Sequence, residues 1–213
     1  PPSVLKNWEE ELERWGHFSV RTLRGDAEQL DAYARDAATA GKVEVLLFGH
    51  SMLPKLVGSK APHGSSSYTS EGLLLRDPVS QQARRWAVLV VDEVHSFKNP
   101  KSKGTIALAQ LTRLCGVRIG LTGTPRSNKM GELFTLLDTL NKGCLGDWKD
   151  FRDTYDTPIK RGNSKNATKE AVRVGLEKTE QVRKLVRPLM LRRTKEGELS
   201  DVLMEKKEHI IFV

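Results

Sequence analysis

Short apolar runs alternate with helix-like segments along this chain, and this alternation constrains the fold more than any other feature. The most apolar run, residues 86–91, predicts a buried strand, and residues 117–121 predict a second one. Residues 102–114 lie between them and are typical of a helix. Strands that alternate with helices form a mostly parallel sheet with helices on both faces, so the sequence predicts an α/β fold.

The remaining predicted elements extend this pattern. Helices are predicted at residues 4–15, 26–40, 129–140, 147–155 and 168–186. Strands are predicted at residues 17–23 and 43–48, and an exposed loop rich in Gly, Ser and Pro at residues 58–72. Ser3 is the expected N-cap of the first helix, and Pro188 is expected to end the last one.

Composition excludes two classes of protein. No apolar run approaches the ~20 residues that a membrane-spanning helix needs, so we expect no membrane partner. Cys115 and Cys144, the two cysteines of the sequence, do not make a disulfide scaffold or a four-ligand zinc site. With 38% hydrophobic and 29% charged residues, the 213-residue chain has the composition of a folded globular protein.

Positive charge is concentrated in residues 160–195. The chain has 35 basic and 27 acidic residues, and this segment alone holds twelve basic and three acidic ones. Such a band suits a polyanion such as nucleic acid. A solvated helix face is the other interpretation, because Lys and Arg are common on any surface. The sequence leaves both open.

Two adjacent carboxylates follow the most apolar strand. Asp92 and Glu93 open the tetrapeptide Asp-Glu-Val-His, which ends at His95. In a nucleotide hydrolase, one carboxylate at this place holds Mg²⁺ through water, and its neighbour orients and deprotonates the attacking water. Adjacent residues of an extended backbone point to opposite sides, so each carboxylate can serve a different partner. A simple acidic turn after a strand is the alternative interpretation.

A second polar turn follows the next predicted strand and contains Thr122, Gly123 and Thr124. One right-handed crossover through a helix would connect the two strands and bring their carboxyl ends together. The threonine hydroxyls would then lie within hydrogen-bonding reach of His95. Each turn alone has a simple structural explanation, but the two turns together at adjacent strand ends predict a functional site.

Four parts of the sequence contain recognisable motifs. They are residues 1–8 with Glu11 and Trp15 (motif Ia), 92–95 with 98–100 (motif II), 121–125 with Asn128, Glu132 and Leu133 (motif III), and 191–195 with 206–208. Together they resemble the Swi/Snf-type ATPases of helicase superfamily two. Finer details resemble the Cockayne-syndrome-B-like excision-repair subgroup and its "like 2" branch, at residues 145–146, 151, 158–162, 167–168 and 185–195.

The resemblance implies a RecA-like first lobe of a nuclear ATPase that uses ATP and Mg²⁺ and translocates on double-stranded DNA. Asp92 would hold Mg²⁺ through water, Glu93 would activate the attacking water, and His95 would couple the nucleotide site to the turn at 122–124. The residues in or beside motifs that face DNA in such ATPases are Ser3, Lys6, Gly49, His50, Ser51 and Lys98. The residues expected to brace the junction to a second ATPase lobe are Arg192, Arg193 and Lys195. Nucleosomes are a further expected partner.

The sequence departs from the family pattern at four places. They are Val94 in place of a small residue, Arg126 with Ser127, the segment 48–51, and Met204 in place of a proline. None of them alters Asp92 or Glu93. No Gly-x-x-x-x-Gly-Lys-[Ser/Thr] phosphate loop occurs in the sequence, so we expect most of a first lobe, lacking the phosphate-loop strand, and no ATPase activity from this chain alone.

These motifs predict three segments and leave two competing functions. Residues 1–141 would form the core of the RecA-like lobe, 142–190 a helical protrusion, and 191–213 a closing segment toward the second lobe. The first competing function is a non-catalytic, degenerate ATPase lobe that binds DNA or protein; the intact acidic pair argues against it, and the absent phosphate loop argues for it. The second is a piece of a DEAD/DEAH-type RNA helicase, although segments 1–8 and 191–195 are not typical of that group.

Overall fold

The computed structural model describes residues 2–24, 44–58, 72, 74–76, 82–123 and 129–193. Contacts divide the chain into two compact units, Pro1–Phe151 and Arg152–Val213. The division falls after residue 151, whereas the sequence led us to expect a boundary after residue 141; the roles given to the three predicted segments remain predictions. The helix predicted at 26–40 lies outside the described residues, as does most of the loop predicted at 58–72.

Four parallel strands are described in the first unit. They are β1 (Val20–Leu23), β2 (Val45–Phe48), β3 (Trp86–Val91) and β4 (Cys115–Gly120). β1 pairs with β2, and β3 pairs with β4 in a register that sets Val91 beside Gly120. β3 has the predicted bounds. β4 begins at Cys115, two residues earlier than predicted, because Cys115 already pairs with Trp86.

Five α-helices accompany these strands in the described part of the first unit. They are α1 (Leu5–Trp15), α2 (Leu53–Val57), α3 (Lys103–Leu111), α4 (Met130–Leu140) and α5 (Trp148–Phe151). Single 3₁₀ turns lie at Pro2–Val4, His50–Met52, Val94–Phe97 and Thr112–Leu114. The helix predicted at 102–114 is confirmed as α3 and the turn that follows it, and Ser102 caps it by accepting a hydrogen bond from the Thr105 backbone N–H at 3.1 Å.

The predicted capping role of Ser3 is wrong. A 3₁₀ turn over Pro2–Val4 precedes α1, so Val4 occupies the cap position and no side chain caps the helix. The turn already orders the backbone before the α-helix begins, which displaces Ser3 from the position where its hydroxyl could accept from the first free N–H groups.

The core of the first unit lies between α2, α3 and the strands. Leu56, Leu74 and Leu108 are its most completely buried apolar residues. The opposite face of β3 and β4 is less buried than the sequence predicted: Val88 and Val90 stay exposed, because no described element covers this side. Among the described residues, helices therefore cover one face of this strand pair more fully than the other.

A cavity of about 520 Å³ separates β2 from β3. The lining includes the consecutive residues 45–48 of β2 and 86–91 of β3. Successive side chains of a strand point to opposite faces, so the cavity borders the edges of these two strands rather than one face. Leu5, Trp8 and Leu12 of α1 form a further wall. Asp92 and His50 also contribute to the lining, which brings α1 and both strands to the carboxyl end of β3.

The second unit is helical in its described part. A π-helical turn, Arg152–Asp156, leads into α6 (Thr157–Gly162), and α7 (Lys169–Val186) is followed by a 3₁₀ turn, Arg187–Leu189. The helix predicted at 168–186 is confirmed as α7, whereas the sequence analysis did not predict α6. We call α6 and α7 together the helical hairpin. None of the described helices has the length and apolar character that would let it cross a membrane.

Two glycines allow the helical hairpin to pack closely. A Cβ on Gly162 would lie 2.7 Å from the Ala171 carbonyl oxygen and 3.0 Å from the Gly175 Cα. Backbone therefore meets backbone where α6 and α7 cross. The Thr168 hydroxyl caps α7 by accepting from the Ala171 N–H at 3.2 Å.

Candidate active site

The carboxyl ends of β3 and β4 are held together by backbone hydrogen bonds. The Leu121 N–H donates to the Val91 carbonyl at 2.8 Å, and the Val94 N–H donates back to the Leu121 carbonyl at 2.9 Å. The expectation that the two polar turns would be neighbours is thus confirmed. We call residues 92–97 the acidic turn.

Glu93 has a left-handed backbone, with φ 45° and ψ 46°. It is the one non-glycine residue with positive φ in the described part of the chain. This conformation costs on the order of 1 kcal/mol for a residue with a Cβ, and such strain concentrates at functional sites. The Glu93 carbonyl accepts hydrogen bonds from the Ser96 N–H at 3.0 Å and from the Ser96 hydroxyl at 2.8 Å, which fixes the sharp bend.

The Asp92 carboxylate accepts one hydrogen bond at each oxygen. Its Oδ1 accepts from the Glu93 N–H at 2.9 Å, and its Oδ2 accepts from the Trp8 indole N–H at 3.2 Å. A carboxylate oxygen has two lone pairs, so both oxygens keep acceptor capacity for a metal-bound water. The half-buried Asp92 is therefore oriented and still available to a ligand.

Glu93, His95 and Thr122 form a compact polar group. His95 Nδ1 lies 3.0 Å from Thr122 Oγ1 and 3.0 Å from Glu93 Oε2. The expected contact between His95 and Thr122 is present, while its coupling role remains a prediction. Glu93 Oε2 is buried but accepts no hydrogen bond from any described residue, because its approach to His95 lacks hydrogen-bond geometry. The Glu93 side chain as a whole is 43% exposed, so water can reach its carboxylate, which can accept a proton.

Val94, which departs from the family pattern, has a structural explanation. It is buried, and its methyl carbon Cγ1 would lie 3.1 Å from a Cβ placed on Gly120. Because Gly120 has no side chain, β4 leaves room for the larger residue in the acidic turn. The substitution is thus accommodated without moving Asp92 or Glu93 out of the strand end.

His50 connects the segment after β2 to the acidic turn. Its Nδ1 lies 3.1 Å from the Ser96 hydroxyl, and its ring packs on Phe97 with centroids 4.8 Å apart. The single Ser96 proton is donated to the Glu93 carbonyl, so His50 Nδ1–H is the donor to Ser96 Oγ. Burial lowers the pKa of His50, although Asp92 and Glu93 act in the opposite direction, and the neutral ring fits this role.

The predicted DNA-facing residues occupy different environments. Ser3 and Lys6 are exposed at the start of α1, and the Lys6 amine lies 3.5 Å from the Glu10 carboxylate. Ser51 is exposed and Gly49 is buried. The Lys98 amine, half exposed, pairs with the Glu132 carboxylate at 3.3 Å. These positions leave the predicted phosphate contacts as predictions.

Several predicted residues lie away from this group or outside the described residues. Gly123 is exposed beside Thr122, whereas Thr124 lies outside the described part. Arg192 and Arg193 are exposed in the second unit, and Lys195 lies outside the described part. Trp8, which donates a hydrogen bond to Asp92, and Ser96, which lies within the acidic turn, were not predicted as site residues.

A sequence profile described as the SNF2-related domain matches residues 1–213. The chain belongs to this family. It is 31% identical over its whole length to Switch 2 of Arabidopsis thaliana and 32% identical to the DNA repair and recombination protein RAD54B of Gallus gallus. It is 30% identical to the DNA excision repair protein ERCC-6-like 2 of Mus musculus. The chain spans 22%, 20% and 12% of these three relatives.

A solved structure supports the same family. The Sulfolobus solfataricus SWI2/SNF2 ATPase core in complex with dsDNA matches with a TM-score of 0.61 and 28% identity, over 93% of this chain and 33% of that chain. The Sulfolobus solfataricus SWI2/SNF2 ATPase core domain matches with a TM-score of 0.59. The predicted α/β fold of a RecA-like lobe with parallel strands and helices is therefore confirmed. The SNF2-related domain is found in ATP-dependent chromatin-remodelling and DNA-repair proteins, and a DNA-dependent ATPase lobe is consistent with this membership.

Proposed function

We propose that this chain supplies the acidic turn of an ATP-hydrolysis site in the first lobe of a motor that translocates on double-stranded DNA. The observation that carries the proposal is the joined pair of strand ends. An oriented Asp92 and a partly exposed Glu93 lie there beside the contact between His95 and Thr122. A metal-binding carboxylate and a base that orients water are two of the parts that hydrolysis of a nucleoside triphosphate uses.

The chemistry of the acidic turn fits Mg²⁺. This ion prefers oxygen ligands and keeps several waters, so one or two carboxylates together with phosphate suffice. The described residues contain no group of three or more His, Cys, Asp or Glu that could hold a metal. When bound, Mg²⁺ would neutralise charge that develops on the phosphates.

Each protein group then has one task. Asp92, held at both oxygens, would bind a metal-coordinated water. Glu93, whose side chain is 43% exposed, would orient the attacking water and accept its proton. His95 Nδ1 lies near both the Glu93 carboxylate and the Thr122 hydroxyl, so a change at Glu93 would alter the contact between His95 and Thr122. The turn at 122–124 would transmit this state to the DNA-facing parts of the lobe.

Duplex DNA is the proposed polymeric substrate. The solved structure with similarity to this chain is of an ATPase core in complex with dsDNA, which supports this choice over RNA. The exposed residues at the start of α1, Ser51 and Lys98 would contact phosphates, and such contacts fix register without selecting a base sequence. The same proposal includes nucleosomes as a partner, a second ATPase lobe braced by Arg192, Arg193 and Lys195, and a nuclear location.

We propose that the chain belongs to the excision-repair branch, next to ERCC-6-like 2 proteins. The motif details at residues 158–162 and 185–195 support this branch. Switch 2 and RAD54B relatives have nearly the same identity, so the branch rests on these details rather than on overall similarity.

The substitution Glu93→Gln in the full-length protein tests the function. We expect DNA-stimulated ATP turnover to fall at least about a hundred-fold, because a general base contributes roughly that much, while ATP binding is retained. Glu177→Gln, the same chemical change at an exposed position of α7, should leave turnover unchanged. DNA-stimulated hydrolysis that survives Glu93→Gln would refute the catalytic assignment.

A further inference from the structure

Helix α1 is attached to the first unit by a small number of contacts. It has no fully buried residue, and its apolar side faces the cavity beside β2 and β3. Glu9 accepts hydrogen bonds from Thr22 and from Arg24, the latter at 2.6 Å, which ties α1 to β1. The remaining long-range polar contact in the described residues of α1 is the hydrogen bond from Trp8 to Asp92. The position of α1 and the orientation of Asp92 are therefore linked directly.

Trp8 is suited to orient a metal-binding carboxylate without competing for the metal. An indole has one N–H donor and no acceptor, so it cannot act as a ligand itself. Its N–H reaches Asp92 Oδ2 from a position 84 residues away in the chain. The other Asp92 oxygen is held by the backbone of the acidic turn, so Trp8 supplies the one described hydrogen bond to the Asp92 carboxylate from outside that turn.

The other described indole contacts differ in kind. The Trp15 N–H donates to Glu11 Oε2 at 2.7 Å, one helical turn away on the same exposed surface. The Trp86 N–H donates to the Leu74 carbonyl. Trp8 and Trp15 thus lie on one helix and both donate to a carboxylate, but only the carboxylate next to Trp8 belongs to the acidic turn.

We propose that Trp8 is a positioning residue for Asp92, and that α1 connects the exposed surface at Ser3 and Lys6 to the metal-binding carboxylate. This rests on the function proposed above. Lys6 and Trp8 are two residues apart, so they lie on opposite sides of the helix. Lys6 is largely exposed while Trp8 is half-buried. A displacement of α1 by a phosphate at its outer side would shift the indole N–H that orients Asp92.

The test measures metal binding in the full-length protein with Mn²⁺ and ATP, by following free Mn²⁺ with electron paramagnetic resonance. Four proteins are compared with the unmodified one: Trp8→Phe, Trp8 replaced by 3-benzothienylalanine, Trp15→Phe and Asp92→Asn. The benzothienyl side chain keeps the size of indole and lacks the N–H, so it separates the hydrogen bond from packing. ATP turnover at saturating Mn²⁺ is recorded in parallel.

We expect both Trp8 replacements to weaken Mn²⁺ binding about ten-fold, because loss of a partner that orients a metal ligand typically costs this much. Turnover at saturating Mn²⁺ should fall much less, and Trp15→Phe should match the unmodified protein. The inference is overturned if the Trp8 replacements bind Mn²⁺ normally while Asp92→Asn does not, or if Trp15→Phe weakens binding equally. If Asp92→Asn also binds Mn²⁺ normally, the metal assignment of the proposed function fails as well.

Discussion

The acidic turn and the helical hairpin are both rich in charged groups, but their contacts differ in range. The acidic turn is reached from 84 residues away by Trp8, 46 away by His50 and 27 away by Thr122. In the helical hairpin the described ion pairs join residues three or four positions apart. They are Glu170 with Arg173, Glu177 with Arg173, and Glu180 with Arg183, all exposed, together with Lys160 and the buried Asp156 that directly precedes α6.

This difference separates a positioned site from a charged surface. Long-range contacts fix side chains in one arrangement, which chemistry requires. Exposed pairs one turn apart contribute little and are screened by salt. The Arg173 guanidinium does lower the pKa of Glu170 by a hydrogen bond, yet both groups remain in solvent. The basic band at 160–195 is the more conspicuous feature of composition, and the acidic turn is the better candidate for catalysis.

The two regions should also differ in how they tolerate an added methyl group. We expect the largest effect in the helical hairpin. Gly162→Ala would place a Cβ 2.7 Å from the Ala171 carbonyl oxygen, and backbone cannot move aside as a side chain can. We expect this substitution to lower the free energy of unfolding of the helical hairpin by about 2–3 kcal/mol. Urea denaturation followed by hydrogen exchange of peptides from α6 and α7 measures it. Unchanged protection of these peptides would contradict the close backbone packing.

The same change at the end of β4, beside the acidic turn, should cost less. Gly120→Ala would place a Cβ 2.7 Å from Leu140 Cδ1 and 3.1 Å from Val94 Cγ1, and both are ends of side chains. We expect a loss of about 1 kcal/mol, since Leu140 can adjust. Combining Gly120→Ala with Val94→Ala should cost less than the sum of the single changes in urea denaturation. Strict additivity would show that Val94 does not fill the space above Gly120.

The basic band is tested by the salt dependence of duplex-DNA binding. Lys165, Lys169 and Lys184 form no ion pair with a described residue. Replacing all three with Gln should reduce the slope of log affinity against log salt by about 2–3, because each phosphate contact contributes roughly 0.9. The matched control replaces Lys160, Arg173 and Arg183 with Gln. These three residues are paired with carboxylates, so this variant should change the slope less. An unchanged slope in the first variant would assign the band to a solvated surface.

The smallest expected effect is the pH dependence that His50 gives to stability. Burial lowers the pKa of His50 below its ordinary value of 6.5, so the unfolded chain binds the proton at a higher pH than the folded one. The stability that depends on neutral His50 is thus present above about pH 6.5 and is lost as pH falls below it. The urea midpoint should fall more between about pH 7.5 and about pH 5.5 in the unmodified protein than in His50→Gln. His17→Gln, at an exposed position, is the control; equal losses in all three proteins would contradict the assignment.

The sequence predicted the strand ends well and the contacts between distant segments poorly. β3 was predicted with its observed bounds because an apolar run followed by two acids has few alternative structures. The contact between His95 and Thr122 was predictable because adjacent parallel strands bring their ends together. The role of Trp8 was not, because a hydrogen bond across 84 residues depends on where α1 packs. α6 was not predicted, although Pro158 is compatible with it because proline is tolerated in the first turn of a helix.

The most direct test is a crystal structure of the full-length protein with Mg²⁺ and a non-hydrolysable ATP analogue. We expect the ion beside Asp92 with a water between them, and a second water between the Glu93 carboxylate and the terminal phosphate. A nucleotide bound with its metal away from both carboxylates would contradict it.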